Sequence, residues 1–264
     1  MELADCFTPE ELVSKIFSLS PNLKLPIPIT AVAKECGILL CAPVKLEASS
    51  FTGALISDSG KDYGVILYKA YPQVPGRERF TIAHELGHHL LQHHNSAVFC
   101  GQTGVANEAT QEAEQEADSF ATQLLMPRHL IESYLQPKQI TLELIKELSV
   151  LAVTSFSATA KRSCALLSGQ ASIIFIYSKD GLFRYADSSN EELKKYLSLS
   201  KGDQMPENSC VLNMVYQPES FTKQNKIISS DWFYDVTDEN DDLVEQVYSQ
   251  ENGYAVTLIS VNRK

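Results

Sequence analysis

The hydrophobic pattern of the N-terminal residues predicts helices followed by a strand. Thr8 and Pro9 suit the cap and the first position of a helix, and Glu11 stands three residues after the cap, as in a capping box. Apolar spacing then predicts a second helix over 29–35 and a strand over 38–41. The first element of the chain is therefore expected to be a capped helix.

A β-hairpin and two long helices are predicted next. Two apolar runs, 54–56 and 63–68, flank a turn rich in Asp, Ser and Gly. Beyond a break that contains prolines and a glycine, the pattern predicts a long helix over 78–93. After a polar loop, another long helix is predicted over 110–125, which ends before Pro127 because the residue preceding a proline disfavours helix.

The pattern changes again in the second half of the chain. Residues 140–167 read as two short helices with a bend near Val153, and the character of the sequence shifts beyond Gly169. Two strands and one helix are predicted after this shift, over 171–177, 254–261 and 190–197.

Composition and charge narrow the classes of function. The net charge of the 264 residues is −11. Neither the part up to Leu167 nor the part after it is basic, so direct nucleic-acid binding is not expected. No apolar run is long enough to cross a bilayer, and the N-terminus does not resemble a signal peptide. The six cysteines form no Cys-x-x-Cys pair, which is typical of reduced thiols. We therefore expect a cytoplasmic protein that does not associate with membranes.

One five-residue pattern indicates metal chemistry. The segment His84-Glu85-Leu86-Gly87-His88 lies in the predicted helix over 78–93. Residues four apart share a helix face, so His84 and His88 can bind one tetrahedral ion. Glu85 stands beside the first histidine, where its carboxylate can take a proton from a metal-bound water and pass it to a leaving amine. The alternative is a surface helix that carries this pattern by chance.

A third zinc ligand is expected from the helix over 110–125, because catalytic zinc usually has three protein ligands. Glu114 and Asp118 are four apart and share a face, whereas Glu116 points away from Glu114. We predict Glu114 as the ligand, with Glu112 or Glu116 as substitutes. Asp118 is expected to accept a hydrogen bond from the far ring nitrogen of one ligand histidine. On its own this acidic cluster would read as a solvated helix face.

The remaining histidines of the region are not expected to bind the metal. His89 lies on a different helix face from the ligand pair. His93 and His94 fall near the predicted helix end, where histidine is more often an exposed capping residue than a ligand. The predicted cofactor is one catalytic Zn²⁺, although another divalent ion would also fit this donor set.

Two segments resemble the signatures of a known family. The sequence from Arg79 to His88 resembles the active-site helix of the ImmA/IrrE metallopeptidases. Residues 114–121, followed by 124–127, are similar to the second signature of that family. Two signatures at this separation are much more specific than either one, and the resemblance covers about residues 25–167.

The resemblance implies a fold, a reaction and a class of substrate. It implies a gluzincin-like core in which His84, His88 and Glu114 bind the metal and Glu85 is the general base. It also implies that the hairpin ending near Tyr68 is the sheet edge along which an extended substrate lies. Members of the family typically cleave a partner repressor of the helix-turn-helix type, which is the expected protein substrate here.

The predicted architecture is α+β with three segments. A zincin-like metallopeptidase domain is expected over 1–135 and a helix-turn-helix-like helical segment over 136–167. A C-terminal α/β domain, with a sensory or partner-binding role as one interpretation, is expected over 168–264. The helical segment is weakly charged, so we interpret it as a packing or docking element rather than a DNA reader.

Two other hypotheses remain open at this point. The chain could be a catalytically silent, peptidase-like scaffold that senses or binds a partner. It could instead be a DNA-binding regulator that uses residues 140–162, although its acidic charge counts against that role. The sequence does not indicate an oligomeric state.

Overall fold

The computed structural model divides into two compact units. The first comprises 1–134 and 149–155, and the second comprises 135–148 and 156–264. The predicted α+β class is confirmed, whereas the three-segment division stays a prediction because a division by contacts does not test independent folding. The described residues are 3, 5–45, 51–71, 73–94, 97–100, 108–136, 138–214, 216–234 and 243–261.

Helices frame the first unit. The capping box predicted for α1 (Pro9–Leu19) is confirmed, because the Thr8 side chain accepts from the Glu11 amide and the Glu11 carboxylate accepts from the Thr8 amide. The helices that follow are α2 (Ile29–Glu35), α3 (Pro75–Leu90), α4 (Glu108–Leu125) and α5 (Arg128–Leu135).

A four-stranded sheet completes the first unit. Its strands are β1 (Ile38–Val44), β2 (Gly53–Ser57), β3 (Gly64–Lys69) and β4 (Ala97–Cys100), in the order β1-β3-β2-β4. The β1–β3 pair is parallel, and the β2–β3 and β2–β4 pairs are antiparallel.

The expectation that the hairpin forms the sheet edge is wrong. Strand β2 pairs with β3 on one side and with β4 on the other, from Gly53 opposite Cys100 to Ile56 opposite Ala97. The apolar stretch 97–100 lies within the predicted polar loop and forms the outer strand instead. The outer strands of this sheet are therefore β1 and β4.

The core of the first unit packs the helices against this sheet. Leu12 and Ile16 of α1, Leu86 of α3 and Leu124 of α4 are fully buried in one apolar cluster with Leu55 of β2. The burial of this cluster fixes α3 and α4 side by side, which is the arrangement on which the candidate site depends.

Two helices contain the residues at which the chain passes between the units, since 149–155 belong to the first unit and 135–148 and 156–264 to the second. The bend predicted near Val153 is confirmed, since α6 (Leu142–Ala152) and α7 (Phe156–Leu166) are separated there. Val153 has a φ of +52°, in the left-handed region where glycine is the usual residue.

The second unit is built on an antiparallel sheet. Its strands are β5 (Ile173–Lys179), β6 (Leu182–Ser188), β7 (Ser220–Phe221), β8 (Asn225–Lys226), β9 (Leu243–Ser249) and β10 (Tyr254–Val261). The order is β6-β5-β10-β9-β7, with β8 also on β9. Two short helices, α8 (Glu191–Lys195) and α9 (Val211–Met214), accompany it.

The strand predicted over 254–261 is confirmed as β10. Trp232 and Phe233 are buried in the core of this unit, in line with their apolar character, whereas Tyr234 is exposed. Among the described residues, no helix combines the length and apolar character needed to span a membrane.

Candidate metal centre

Helix α3 presents the first three candidate residues from a buried position. Every residue from Thr81 to Leu90 is buried, including His84, Glu85 and His88. The helix begins and ends three residues earlier than the sequence predicted. The metal-binding pattern therefore lies in its final turns.

A glycine allows α3 and α4 to approach closely. A Cβ atom placed on Gly87 would lie 3.1 Å from Cδ1 of Phe120 and 3.2 Å from Cα of Ala117. Such contacts are tighter than ordinary packing, so a side chain at Gly87 would push the helices apart. The close approach brings Glu114, one turn before Ala117, opposite the two histidines.

Two imidazole nitrogens and the carboxylate of Glu114 converge between these helices. Nε2 of His84 lies 3.1 Å from Nε2 of His88. The carboxylate oxygens of Glu114 lie 3.3 Å from Nε2 of His84 and 3.4 Å from Nε2 of His88. Neighbouring ligand atoms of a tetrahedral zinc are about 3.3 Å apart, given metal–ligand distances of about 2.0–2.1 Å. The Nε2 atoms of His84 and His88 and the two carboxylate oxygens of Glu114, called the donor triangle after these three residues, are therefore spaced as zinc ligands are.

A hydrogen bond on the far side of the His84 ring turns the lone pair of that ring toward this triangle. Nδ1 of His84 lies 2.8 Å from a carboxylate oxygen of Asp118, and because an ionised carboxylate only accepts, Nδ1 carries the proton. Nε2 of His84 is then an acceptor that faces Glu114. Electron pairs that converge without a proton between them call for a cation, so the donor set fits a metal.

Charge and burial favour the protonation states that metal binding needs. Contact with the imidazole groups of His84 and His88 holds the pKa of Glu114 well below its ordinary value in the absence of an ion. Burial lowers the pKa of His88, although its contact with Glu114 acts in the opposite direction. An ionised carboxylate and a neutral imidazole are the forms that bind metal ions.

The carboxylate of Glu85 lies at the floor of a small cleft. Glu85 is fully buried, and a Cβ atom on Gly53 would lie 2.5 Å from its Oε1 atom. The cleft holds about 270 Å³ and is lined by Glu85, the ligand candidates His84 and Glu114, and side chains that include Thr52, Arg77 and Phe80. The base candidate and two ligand candidates therefore open onto one cavity.

The predicted substitute ligands lie elsewhere. Oε2 of Glu116 lies 2.8 Å from Nε2 of His94 and 2.6 Å from Nε2 of His93, away from the donor triangle. Glu112 is exposed and lines a separate cleft. His89 points toward β2, where Nδ1 lies 2.7 Å from the hydroxyl of Ser57.

His94 differs from the expected exposed capping residue. It is buried, with Nδ1 2.9 Å from Nδ1 of His88, and burial lowers its pKa to about 4. The spacing of six residues from His88 gave no signal for this contact, because α3 ends at Leu90 and the chain turns back. The same histidine belongs to a second set of possible ligands, His93, His94 and Glu116.

Sequence reasoning also missed a lysine at the end of α3. Nζ of Lys61 donates to the carbonyl oxygens of His88, at 2.7 Å, and Leu91, at 2.6 Å. A cation at a helix C-terminus satisfies carbonyls that lack partners within the helix and interacts favourably with the helix dipole. Lys61 comes from the turn between β2 and β3, so only the tertiary fold brings it to α3.

Comparisons with known proteins relate this chain to one family model and to one solved structure. The family model Peptidase_M78, described as the IrrE N-terminal-like domain, matches residues 33–163. No curated protein matches the chain. A solved structure described as a Mycobacterium tuberculosis transcriptional regulator is similar, with a TM-score of 0.59 and 15% sequence identity over 96% of this chain and 75% of that chain. At this identity the likeness concerns the fold alone.

Proposed function

Because residues 33–163 form an IrrE N-terminal-like domain, as the ImmA/IrrE resemblance led us to expect, we propose that this protein is a zinc-dependent endopeptidase. The observation that carries the proposal is the convergence of His84, His88 and Glu114. The two Nε2 atoms lie 3.1 Å apart, and each lies 3.3 or 3.4 Å from one carboxylate oxygen of Glu114, which is close to the separation of neighbouring ligand atoms around zinc. When bound there, zinc supplies Lewis acidity that polarises a carbonyl group and makes water a stronger acid.

Asp118 and Glu85 have different roles beside the proposed metal site. Asp118 accepts a hydrogen bond from His84 and fixes the orientation of that ring. Glu85 is the general base, which takes a proton from the attacking water and delivers it to the amine nitrogen that leaves. Its complete burial beside Gly53 holds the carboxylate in one place, so that little reorganisation is needed during the reaction.

We propose a protein substrate, and the class that the family resemblance suggests is a helix-turn-helix repressor. The structurally similar protein from Mycobacterium tuberculosis is described as a transcriptional regulator, and a regulatory role for this chain is part of the proposal. We propose that an extended substrate pairs with β4 rather than with β1, because β4 is the outer strand next to β2, and Gly53 of β2 lies against Glu85.

Substitution of the base and of a ligand tests this proposal. Glu85→Gln should keep stoichiometric zinc and lose at least about 100-fold in the rate of peptide cleavage. Glu114→Ala should lose the zinc as well. Glu112→Gln, an exposed carboxylate on α4, is the matched control and should behave as the wild type.

The probes are purified helix-turn-helix repressors and a peptide library from a bacterial proteome, with new termini identified by mass spectrometry. Cleavage by Glu85→Gln at the wild-type rate would remove Glu85 as the base. A wild type that binds zinc and cleaves none of these probes would favour the alternative, a peptidase-like regulator that acts by binding.

A further inference from the structure

The histidine next to the metal centre is held at both ring nitrogens. The side chain of His94 is 1% exposed, and its ring lies between the metal-ligand candidate His88 and a carboxylate of α4. Nδ1 is 2.9 Å from Nδ1 of His88, and Nε2 is 2.8 Å from Oε2 of Glu116. Both distances are those of ordinary hydrogen bonds.

The positions of the protons decide which ring nitrogen donates and which accepts in this series of hydrogen bonds. The carboxylate of Glu116 only accepts, so Nε2 of His94 carries a proton, and Nδ1 of the neutral ring is then an acceptor. It accepts from Nδ1 of His88, which leaves the lone pair of His88 on Nε2. That is the atom that faces His84 and Glu114.

The same residues offer a competing interpretation, a second metal site formed by His93, His94 and Glu116. An ion there would need the lone pair of His94 on Nε2, which would move the ring proton to Nδ1. Two protonated Nδ1 atoms of His88 and His94 would then face each other at 2.9 Å. A second ion and a correctly protonated ligand at His88 are therefore incompatible while both rings are neutral.

We propose that His94 and Glu116 are positioning residues that fix the tautomer and orientation of His88 for metal binding. They act on His88 as Asp118 acts on His84, through one additional imidazole. The inference rests on the metal centre of the proposed function but not on its peptidase chemistry, so the test measures metal binding rather than cleavage.

Four variants of the full chain test the proposal. His94→Phe keeps the ring volume and removes both hydrogen bonds. His94→Gln is the conservative rescue, since an amide can accept from His88 and donate to Glu116 over a similar distance. Glu116→Gln removes the charge that orients His94. His93→Phe, at a half-exposed neighbour, is the matched control.

The measurements are the zinc dissociation constant, by competition with a chelator, and the visible absorption of the Co²⁺-substituted protein. We expect His94→Phe to weaken zinc binding about 10–100-fold and to alter the Co²⁺ spectrum. Glu116→Gln should shift both in the same direction by less, and His94→Gln should recover part of the loss. His93→Phe should stay within about twofold of the wild type. Circular dichroism verifies that each variant is folded.

Other results would overturn the proposal. Wild-type affinity and spectrum in folded His94→Phe and Glu116→Gln would mean that His88 needs no support from this side. Two zinc ions per wild-type chain, with one lost in His93→Phe, would assign these residues to a second metal site. A wild type that binds no zinc would remove the metal centre itself, and with it the proposed function, which is a different failure from loss of the His94 effect alone.

Discussion

At position 53, only a hydrogen atom separates the backbone of β2 from the carboxylate of Glu85. A methyl group there would lie 2.5 Å from Oε1 of Glu85 and 2.5 Å from Cγ2 of Thr81, closer than non-bonded atoms approach. The position of the base is thus set by the absence of a side chain on a neighbouring strand. Catalysis is sensitive to such placement, because a shift of about 1 Å can cost about 100-fold in rate.

We therefore expect Gly53→Ala to displace the carboxylate of Glu85 and to lower the rate of cleavage about 10–100-fold. Zinc affinity should change little, since the three atoms nearest a Cβ at this position belong to Glu85 and Thr81 rather than to a metal-ligand candidate. Gly60→Ala is the control, because the atoms nearest a Cβ there belong to the exposed side chains of Asp58 and Asp62. An active Gly53→Ala variant with unchanged kcat would show that the carboxylate tolerates this contact.

The candidate site shows which residues local spacing can identify. His84, Glu85 and His88 lie within one helix, where a period of 3.6 residues alone predicts a shared face. Glu114 and Asp118 could be proposed because their helix was predicted and the same rule applies to them. His94 and Lys61 could not be, since their contacts with α3 depend on a chain reversal and on the approach of the β2–β3 turn.

At the scale of secondary-structure elements, local patterns identified most of the longer helices, α1, α3, α4, α6 and α7 among them, and both predicted hairpin strands. They failed for β4, because four residues inside a polar segment carry too little periodicity to be distinguished from a loop. Strands β6 and β9 were also missed. The pairing of β4 with β2 is a long-range contact, which no window of local sequence reports.

At the α6–α7 bend, the backbone has a left-handed conformation that favours glycine, but the residue there is a valine. Val153 is β-branched and has a φ of +52°, a conformation that costs residues other than glycine about 1–2 kcal/mol. We predict that Val153→Gly raises the free energy of unfolding by about 0.5–1 kcal/mol, after the entropic cost of glycine in the unfolded chain is subtracted. Urea denaturation with a constant m-value measures this change.

Val150→Gly is the matched control for that substitution. Val150 is exposed within α6, where glycine lowers helix stability by up to about 1 kcal/mol. The two substitutions should therefore shift the denaturation midpoint in opposite directions. Equal destabilisation by both would contradict a left-handed conformation at residue 153.

For the whole molecule, the candidate metal site lies within the first of the two units. All donor atoms of the triangle belong to the first unit, and the second unit has its own apolar core, which includes Ile176 and Trp232. A ligand that binds only the folded state stabilises it by about 2.7 kcal/mol at 100 times its Kd. Zinc should therefore stabilise the first unit.

Calorimetry of the metal-free protein tests this expectation. We predict two transitions, one lowered by Leu12→Ala and the other by Ile176→Ala, because each removes a fully buried side chain from one core. Added zinc should raise the unfolding temperature of the transition that Leu12→Ala lowers. An equal zinc shift of both transitions, or a single cooperative transition, would show that the two units unfold together.

The ammonium group of Lys61, enclosed by the carbonyls at the end of α3, has a chemical consequence. Burial lowers its pKa to about 8 in the closed structure, and the amine regains its ordinary, higher pKa once it is exposed to water. Acylating reagents reach it only when the segment after His88 opens, because both hydrogen bonds to His88 and Leu91 must break first. The labelling rate of this lysine, followed by mass spectrometry, therefore reports how often the helix end opens.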